Sequence, residues 1–581
     1  MTTSRRRSLL PAGIAVVILL LALGWLAVTA FLARGHLLDV RSEVNRLQND
    51  VSAGRTARLT HRLADIRDDA ASAHRLTSDP VWRTAAHVPL LGRTFATTRG
   101  LTQAADDLAS NALPQLVDAA DQLDPAKVRR DDGSLVLSRL TAASPFLDRV
   151  DRALADTRAL VADLPRSGVV GPVASARREL DQHLGELAGS LDAAARAARV
   201  GPAMLGTQGP RRYLVMFQNP AEARGTGGLA GAFAVIRADD GKLTREQTGS
   251  DRDLRDAPTP VVDLGPEFNA RWRAADVDRG WRGANSTPHY PWAAQIWQKL
   301  WERQTGQQID GVIAIDPLAL GYLLNATGPI RLSDGEVLNG DNVAQWTLST
   351  AYFKYPENNK RRRELLTELA EKAFDRFSGG DGGSAALLRA LGRSAGEGRV
   401  LLWAARPDEQ SVVLGTPIAG TVLDQEGPVA ALILNNGAGN KLDYYVDRTL
   451  TYDVLRCGDG ERIVRAEVTL KNNAPRGGLP NYVDVRTDGR PSTPGQSRTF
   501  VNYYATTGAR ITGATLDGKP VRIVNGVERG RPVFSADVEI RAGQSRTLVL
   551  EYTEPPTEAP VTVPVQPLAR PMAVRFDGGC E

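Results

Sequence analysis

A chain of 581 residues is too long for a single hydrophobic core, and ordinary domain sizes divide it into roughly three or four units. Its formal charge of +4 is small for that length, so charge points to no nucleic-acid surface. With two cysteines and six scattered histidines, neither a Cys-only zinc site nor any other metal-ligand cluster is legible.

At the N-terminus, Arg5-Arg6-Arg7 precede an uncharged run from Ser8 to Ala33, long enough to cross the hydrocarbon core of a bilayer as a helix. The arginines predict residues 1–7 as a cytoplasmic tail, 8–33 as a transmembrane helix in the plasma membrane, and everything after Arg34 outside. A cleaved signal peptide is the alternative, with Val28 and Ala30 at the small-residue positions before a cut. The length of the run and Trp25 favour an uncleaved anchor.

Residues 34–204 read as an extracytoplasmic helical bundle or stalk. Leu37, Val40, Val44, Leu47 and Val51 step by three and four, the spacing of a coiled-coil seam, and Leu59, Leu63, Ile66 and Ala70 resume it. Pro80, Pro89 and Gly92 interrupt the pattern. Three further helices are predicted, near 94–123, 134–164 and 172–199. Their stripes include Leu101, Leu108, Leu116 and Leu123, then Leu147, Val150 and Leu154, then Leu180, Leu184, Leu187 and Leu191. His183 reads as an ordinary histidine, not a ligand.

Residues 205–440 mix strands and helices and read as a central α/β layered domain. Arg211–Ile236 opens it: an apolar run, a polar turn with Glu222 and Arg224, the glycine-rich Gly225-Thr226-Gly227-Gly228, and a second apolar run. Such a loop either brings backbone close to a ligand or is a hairpin whose glycines serve only the turn. The polar stretch 242–282 reads as a long loop. Helices are predicted over 292–304, from Pro317, from 339 to 355, and from about 357 to 377. A strand over 309–316 carries Asp310 and Asp316 at its ends. Lys360, Arg361, Arg362 and Arg363 oppose the dipole of the helix they open. Either a phosphate or pyrophosphate binds across them, or they form a solvated turn paired with Glu357, Glu364 and Glu368.

From 441 to 553 short alternating segments separated by turns predict an antiparallel β-sandwich, and 554–581 reads as a Pro-rich tail. Cys457 and Cys580 either pair, if this part lies outside the cytoplasm, or remain two thiols. The fold class is therefore multi-domain α+β.

FQNPAEARGTGG within 213–236, ANSTPHYP at 284–291, IDGVIAIDP at 309–317 and GNKLDYY at 439–445 together resemble the family known as domain of unknown function 4012. Its members are membrane-anchored envelope proteins, largely of Gram-positive bacteria, and often carry an Asp where this chain has His289. A weaker resemblance runs to the LytR-CpsA-Psr glycopolymer transferases, through IDGVIAIDPLALGYLLNATGPIRL and LNGDNVAQWTLSTAY…NNKRRRELL. On that match Lys360 and Arg363 fall where two arginines lie, and Glu364 replaces a Gln. Arg224 falls at the start of an Arg-Ser-Asp-Thr element, with Gly225-Thr226-Gly227 in place of the rest. This resemblance implies arginines on the pyrophosphate of a polyprenyl-linked glycan and acids on Mg²⁺. The candidate anion-binding set is Arg224, Thr226, Gly227, Gly228, Asn285, Lys360, Arg361 and Arg363, with Asp310 and Asp316 as candidate Mg²⁺ ligands. No catalytic nucleophile is assigned, because the acceptor hydroxyl belongs to the glycan. The expected function is binding of a lipid-phosphate or anionic glycopolymer substrate, with phosphotransfer if the protein is an enzyme. The rival is a non-catalytic scaffold or assembly factor working through protein contacts.

Overall fold

The computed structural model describes residues 9–52, 59–89, 91–130, 132–379, 384–424, 427–458, 460–491, 493–557 and 559–577. Arg5–Arg7, Ser8 and Cys580 lie outside the described residues. The chain forms two compact units, one of helices up to Ala203 and one of mixed structure from Met204 onward. The fold class is mixed α+β.

In the first unit, α1 (Leu9–Ser52) continues without a break past the apolar run. Within Leu19–Leu47 it is long and apolar enough to cross a membrane by length and composition, a test that a signal sequence also passes. The seam at Val40, Val44 and Leu47 is filled by Ile66 and Ala70 of α2 (Leu59–Thr77) from the same chain. The two helices run antiparallel, as the pairs Glu43–Arg62 at 2.7 Å and His36–Asp69 at 2.7 Å require. A short helix α3 (Pro80–Ala85) starts at the predicted interruption, with Asp79 as its N-cap. The remaining helices are α4 (Gly92–Asp107), α5 (Leu113–Gln122), α6 (Leu137–Ala162) and α7 (Gly171–Met204). They bury most of the predicted stripes, Leu147, Val150 and Leu154 packing with Leu180, Leu184 and Leu191. Leu187, read into the last stripe, is exposed, because it lies a further helical step round from the Leu184–Leu191 face.

The second unit is built on a five-stranded sheet. Its strands are β1 (Arg211–Arg224), β2 (Gly227–Asp239), β3 (Lys242–Ser250), β4 (Gly311–Ile315) and β5 (Val400–Ala404), in the spatial order β3–β2–β1–β4–β5. Only the β1–β4 pair is parallel. Strand β3 lies in the segment that the sequence presents as a loop. It is an edge strand with no buried residue, its positions exposed or at most half-buried, so it lacks the apolar face that marks a strand. Helix α8 (Tyr290–Thr305) covers the sheet with Trp297 and Trp301, both fully buried. Helices α9 (Pro317–Thr327) and α10 (Asn359–Gly379) gather a second core around Leu324, Trp346, Leu365 and Leu369.

Two further sheets form a sandwich. One contains β6 (Ala431–Asn436), β9 (Ser497–Tyr504), β11 (Val524–Glu528) and β12 (Arg531–Ile540). The other contains β7 (Val446–Gly458), β8 (Glu461–Asn472), β10 (Arg510–Leu516), β13 (Ser545–Glu554) and β14 (Met572–Asp577). Leu434, Val501 and Phe534 of the first sheet meet Leu450, Val468 and Leu550 of the second in one core. Two features differ from the sequence-based division. Strand β6 precedes 441 yet pairs with β9, and the Pro-rich segment after 554 ends in β14, which pairs in parallel with β7.

Candidate functional site

The second half of β1 is irregular, with register shifts between Phe217 and Gln218 and between Asn219 and Ala223. Each shift turns polar groups out of the ladder and leaves them to find other partners. Asn219 donates to the Tyr352 hydroxyl at 2.9 Å, and the Ala223 amide donates to Asp443 at 2.8 Å. Glu222 accepts from Lys441 at 2.8 Å and from Arg224 at 2.9 Å. The two family-like stretches FQNPAEARGTGG and GNKLDYY therefore meet in a buried ionic group. Burial pushes the Glu222 carboxyl up, but Lys441 and Arg224 outweigh it and hold the group below its ordinary value. Burial likewise pulls Lys441 down, and Glu222 more than restores it. Asp443, whose partners are an amide and the Asn436 side chain, is pushed by burial up to about 6.

The glycine-rich loop makes a second polar group. Gln218 Oε1 accepts from Gly228 N at 3.0 Å and from the Thr226 hydroxyl at 3.3 Å. Asn285 donates to Gly228 O at 2.9 Å and to Thr226 at 3.0 Å, and its own carbonyl accepts from Thr226 N at 3.3 Å. Thr226, Gly227, Gly228 and Asn285 are all buried. The glycines serve close approach of the protein's own backbone. A Cβ on Gly225 would lie 2.4 Å from Ser286 O, and one on Gly228 would lie 2.1 Å from the Asn219 carbonyl carbon. Of the two readings of this stretch, the hairpin describes its strands, and the glycines do more than turn the chain.

The outer side of the loop is covered by the C-terminal segment. Gln566 donates to Arg224 O at 2.7 Å and Leu434 O at 2.8 Å, and it accepts from Leu434 N at 2.9 Å. Arg448 grips Gln566 O at 2.7 Å, and the Pro567 carbonyl lies 3.3 Å from where a Cβ on Gly227 would stand. Nothing in the composition of the tail marked it for this position, since extended chain without periodicity carries no burial signal.

Arg224 is fully engaged. Besides Glu222 it donates to Arg282 O at 3.2 Å and to Ala223 O at 2.9 Å. Beside it opens a polar cavity of about 330 Å³ lined by Asp251, Arg252, Leu254, Asp256, Trp281 and Arg282. The cations of the α10 first turn separate by face. Lys360 is exposed, and Arg361 is half-buried, donating to Ser333 at 3.0 Å. Lys360 and Arg363 make no ion pair among the described residues. Of the acids read as their partners, Glu364 lies 3.7 Å from Arg361, whereas Glu368 binds Lys372 at 2.8 Å. It is Arg362, absent from the candidate set, that points inward, its guanidinium 4.7 Å from the Tyr352 ring centre and 4.1 Å from that of Tyr482. Lys441 lies 5.3 Å from the same Tyr482 ring. Arg224 and Arg362 thus belong to one network, and Lys360, Arg361 and Arg363 stand outside it.

Asp310 and Asp316 do not fit a shared Mg²⁺ ion. They flank β4, and six residues of extended chain put them about 20 Å apart. Asp310 accepts from Arg211 at 2.9 Å and from Arg212 N at 2.9 Å. Asp316 caps α9 through Leu318 N and Ala319 N and pairs with Arg399 at 2.7 Å. His289, at the position where the resembled family often has an acid, is buried and neutral, its pKa pushed down by burial to about 4. Cys457 is disulfide-bonded, and Cys580, the other half of the expected pair, lies outside the described residues.

Residues 208–352 match the model of the family described as "Protein of unknown function (DUF4012)". The chain carries a DUF4012 segment. That segment holds β1, the glycine-rich loop and Asn285, whereas Arg362 and Lys441 lie beyond it. No curated protein sequence matches the chain. Among solved structures, a mutant of a two-domain M1 zinc metallopeptidase bound to L-tryptophan is similar at 19% identity over 21% of this chain and 23% of that one, with a TM-score of 0.12. The transcriptional regulator yvhJ from Bacillus subtilis is similar at 15% identity over 36% of this chain and 77% of that one, with a TM-score of 0.16. At these TM-scores neither likeness bears on the chemistry of the DUF4012 segment.

Proposed function

We propose that this chain is a single-pass membrane protein of the cell envelope, with its N-terminus cytoplasmic, that acts as a scaffold or assembly factor and not as a transferase. The observation carrying this reading is the sealed loop: Thr226, Gly228 and Asn285 bond one another and Gln218, and Gln566 closes over Arg224. Transfer from a polyprenyl pyrophosphate needs free arginines and acids converging on one metal ion. Arg224 is engaged on three sides, and the two aspartates are separated and each paired with an arginine, so they do not form a shared Mg²⁺ site.

The test is binding of polyprenyl pyrophosphate to the full-length protein in nanodiscs, with and without Mg²⁺. The expected result is no Mg²⁺-dependent binding, with Arg224→Ala lowering the melting temperature. Saturable Mg²⁺-dependent binding abolished by Arg224→Ala at unchanged stability would contradict the reading. One observation favours a second, weaker activity. Lys360 and Arg363 have no acidic partner among the described residues, which leaves them open to an anionic glycopolymer or lipid phosphate. Salt-sensitive polymer binding lost in the Lys360→Ala, Arg363→Ala double variant is the expected sign of it.

A further inference from the structure

The first unit holds a cluster that neither the sealed loop nor the bundle core explains. Trp25 of α1 donates to Asp79 at 2.6 Å, and Trp82 donates to Thr29 at 2.9 Å. Leu26, Ala30, Val81, Trp82, Ala85 and Phe95 pack around this point, with the Trp82 and Phe95 rings edge to face at 5.5 Å. The 79–95 segment is thus pinned to residues 25–30 of α1, inside the uncharged run and before Arg34 closes it. At 1.5 Å per residue the contact lies only about 6–14 Å along the axis from Arg34. The uncharged run from Leu9 to Ala33 is about 37 Å long, against roughly 30 Å of hydrocarbon, so its last turns emerge at the level of the lipid headgroups.

The surface at that level is apolar at its tips and basic around them. Val88 and Leu91 are 48% and 49% exposed, in the turn between α3 and α4. The loop between α6 and α7 joins them: Arg93 reaches Ser167 O at 3.3 Å, Val170 N donates to Thr94 at 3.1 Å, and Val170 is 49% exposed. Arg83, Arg93 and Arg166 are exposed in the same two segments, and with Asp163 also exposed there the cations outnumber the acids. Bare apolar residues near exposed arginines and beside a lipid-facing helix suit an anionic headgroup layer, where the side chains insert and the guanidiniums meet phosphates.

We propose that the exposed turn residues Val88 and Leu91 and the 167–170 loop form a second membrane footing beside α1, seated in the headgroup layer of the leaflet from which α1 emerges. The inference rests on the reading of α1 as a membrane span. The occupant is the bilayer and not a soluble partner, because the segment that carries Val88 and Leu91 is pinned through Asp79 and Trp82 to the uncharged run of α1, whose Trp25, Val28 and Phe31 are themselves exposed. A second footing beside the helix would fix the tilt of the bundle at the membrane.

The test uses full-length protein in nanodiscs containing anionic lipid, spin-labelled singly through Val28→Cys, Val88→Cys, Val170→Cys or Ser138→Cys. Ser138 is exposed at the opposite end of α6, about 36 Å from the 164–170 loop. Accessibility to oxygen and to a polar nickel chelate is compared. The expected result is severalfold lower chelate accessibility at 88 and 170 than at 138, approaching that at 28. If 88 and 170 match 138 while 28 is shielded, the footing is overturned and the anchor stands. If 28 is as open to the chelate as 138, the anchor reading fails and takes the footing with it.

Discussion

The glycine-rich loop and the first turn of α10 carry the two most conspicuous sets of polar residues in the second unit, and they are used in opposite ways. Around the loop, Thr226, Asn285, Glu222 and Arg224 turn inward and bond Gln218, Lys441 and the C-terminal segment, with the Asn285 Oδ1 oxygen left unpartnered among the described residues. In the α10 turn, Arg362 turns inward onto Tyr352 and Tyr482, while Lys360 is exposed and Arg361 and Arg363 are half-buried away from that ring pair. A residue type that suits a ligand equally suits an internal partner, and the face it occupies decides between them. One helical step of about 100° separates Arg362 from both its neighbours.

The largest effect is expected where a buried charge would lose a partner. Lys441→Ala removes one of the two cations on buried Glu222, leaving Arg224 alone to hold it, and is expected to cost about 3 kcal/mol in denaturant unfolding. Combining it with Glu222→Gln should recover part of that loss; no recovery would mean that the pair is not coupled as its 2.8 Å contact implies. Next comes Gly228→Ala, whose Cβ would press on the Asn219 carbonyl. A loss of about 1–3 kcal/mol is expected from overpacking, and a neutral result would break the account of a tight backbone crossing. Within the α10 turn the comparison sharpens to neighbours. Arg362→Ala is expected to lower stability by about 1–2 kcal/mol through its lost ring contacts, while Arg361→Ala stays within about 0.5 kcal/mol.

The smallest effect is in the pH dependence. Asp443, raised by burial to about 6, contributes a destabilisation that grows as pH rises from its ordinary range near 4 to 6, because the unfolded chain ionises first. His289, depressed by burial from 6.5 to about 4, has the opposite slope: stability is lost as pH falls through the same window, because the unfolded chain protonates first. The two offset each other. Asp443→Asn removes the first term, so its stability is expected to rise with pH between about 4 and 6 more steeply than that of the parent. Parallel curves by thermal melting would contradict the assignment.

Much of this fold was legible because burial leaves a period. The sandwich strands alternate, and the bundle stripes at Leu147, Val150, Leu154, Leu184 and Leu191 recur at helical spacing and are buried together. Strand β3 escaped because an edge strand without a buried face has no alternation to read. The Gln566–Leu568 segment escaped because an isolated extended strap is recognised only by what it covers. The site was legible in its parts. FQNPAEARGTGG, ANSTPHYP and GNKLDYY do converge, but their hydrogen bonds turned out to be with each other. Arg362 was hidden among three neighbours of like charge, and only the ring pair Tyr352 and Tyr482, 130 residues apart in sequence, distinguishes it.

The most direct measurement is hydrogen exchange of the Thr226 and Gly228 amides in the full-length protein, with and without polyprenyl pyrophosphate and Mg²⁺. The expected result is strong protection in the free protein that the ligand leaves unchanged, since both amides already donate internally. Rapid exchange that becomes protected only when pyrophosphate and Mg²⁺ are added would show an open ligand loop and contradict the account.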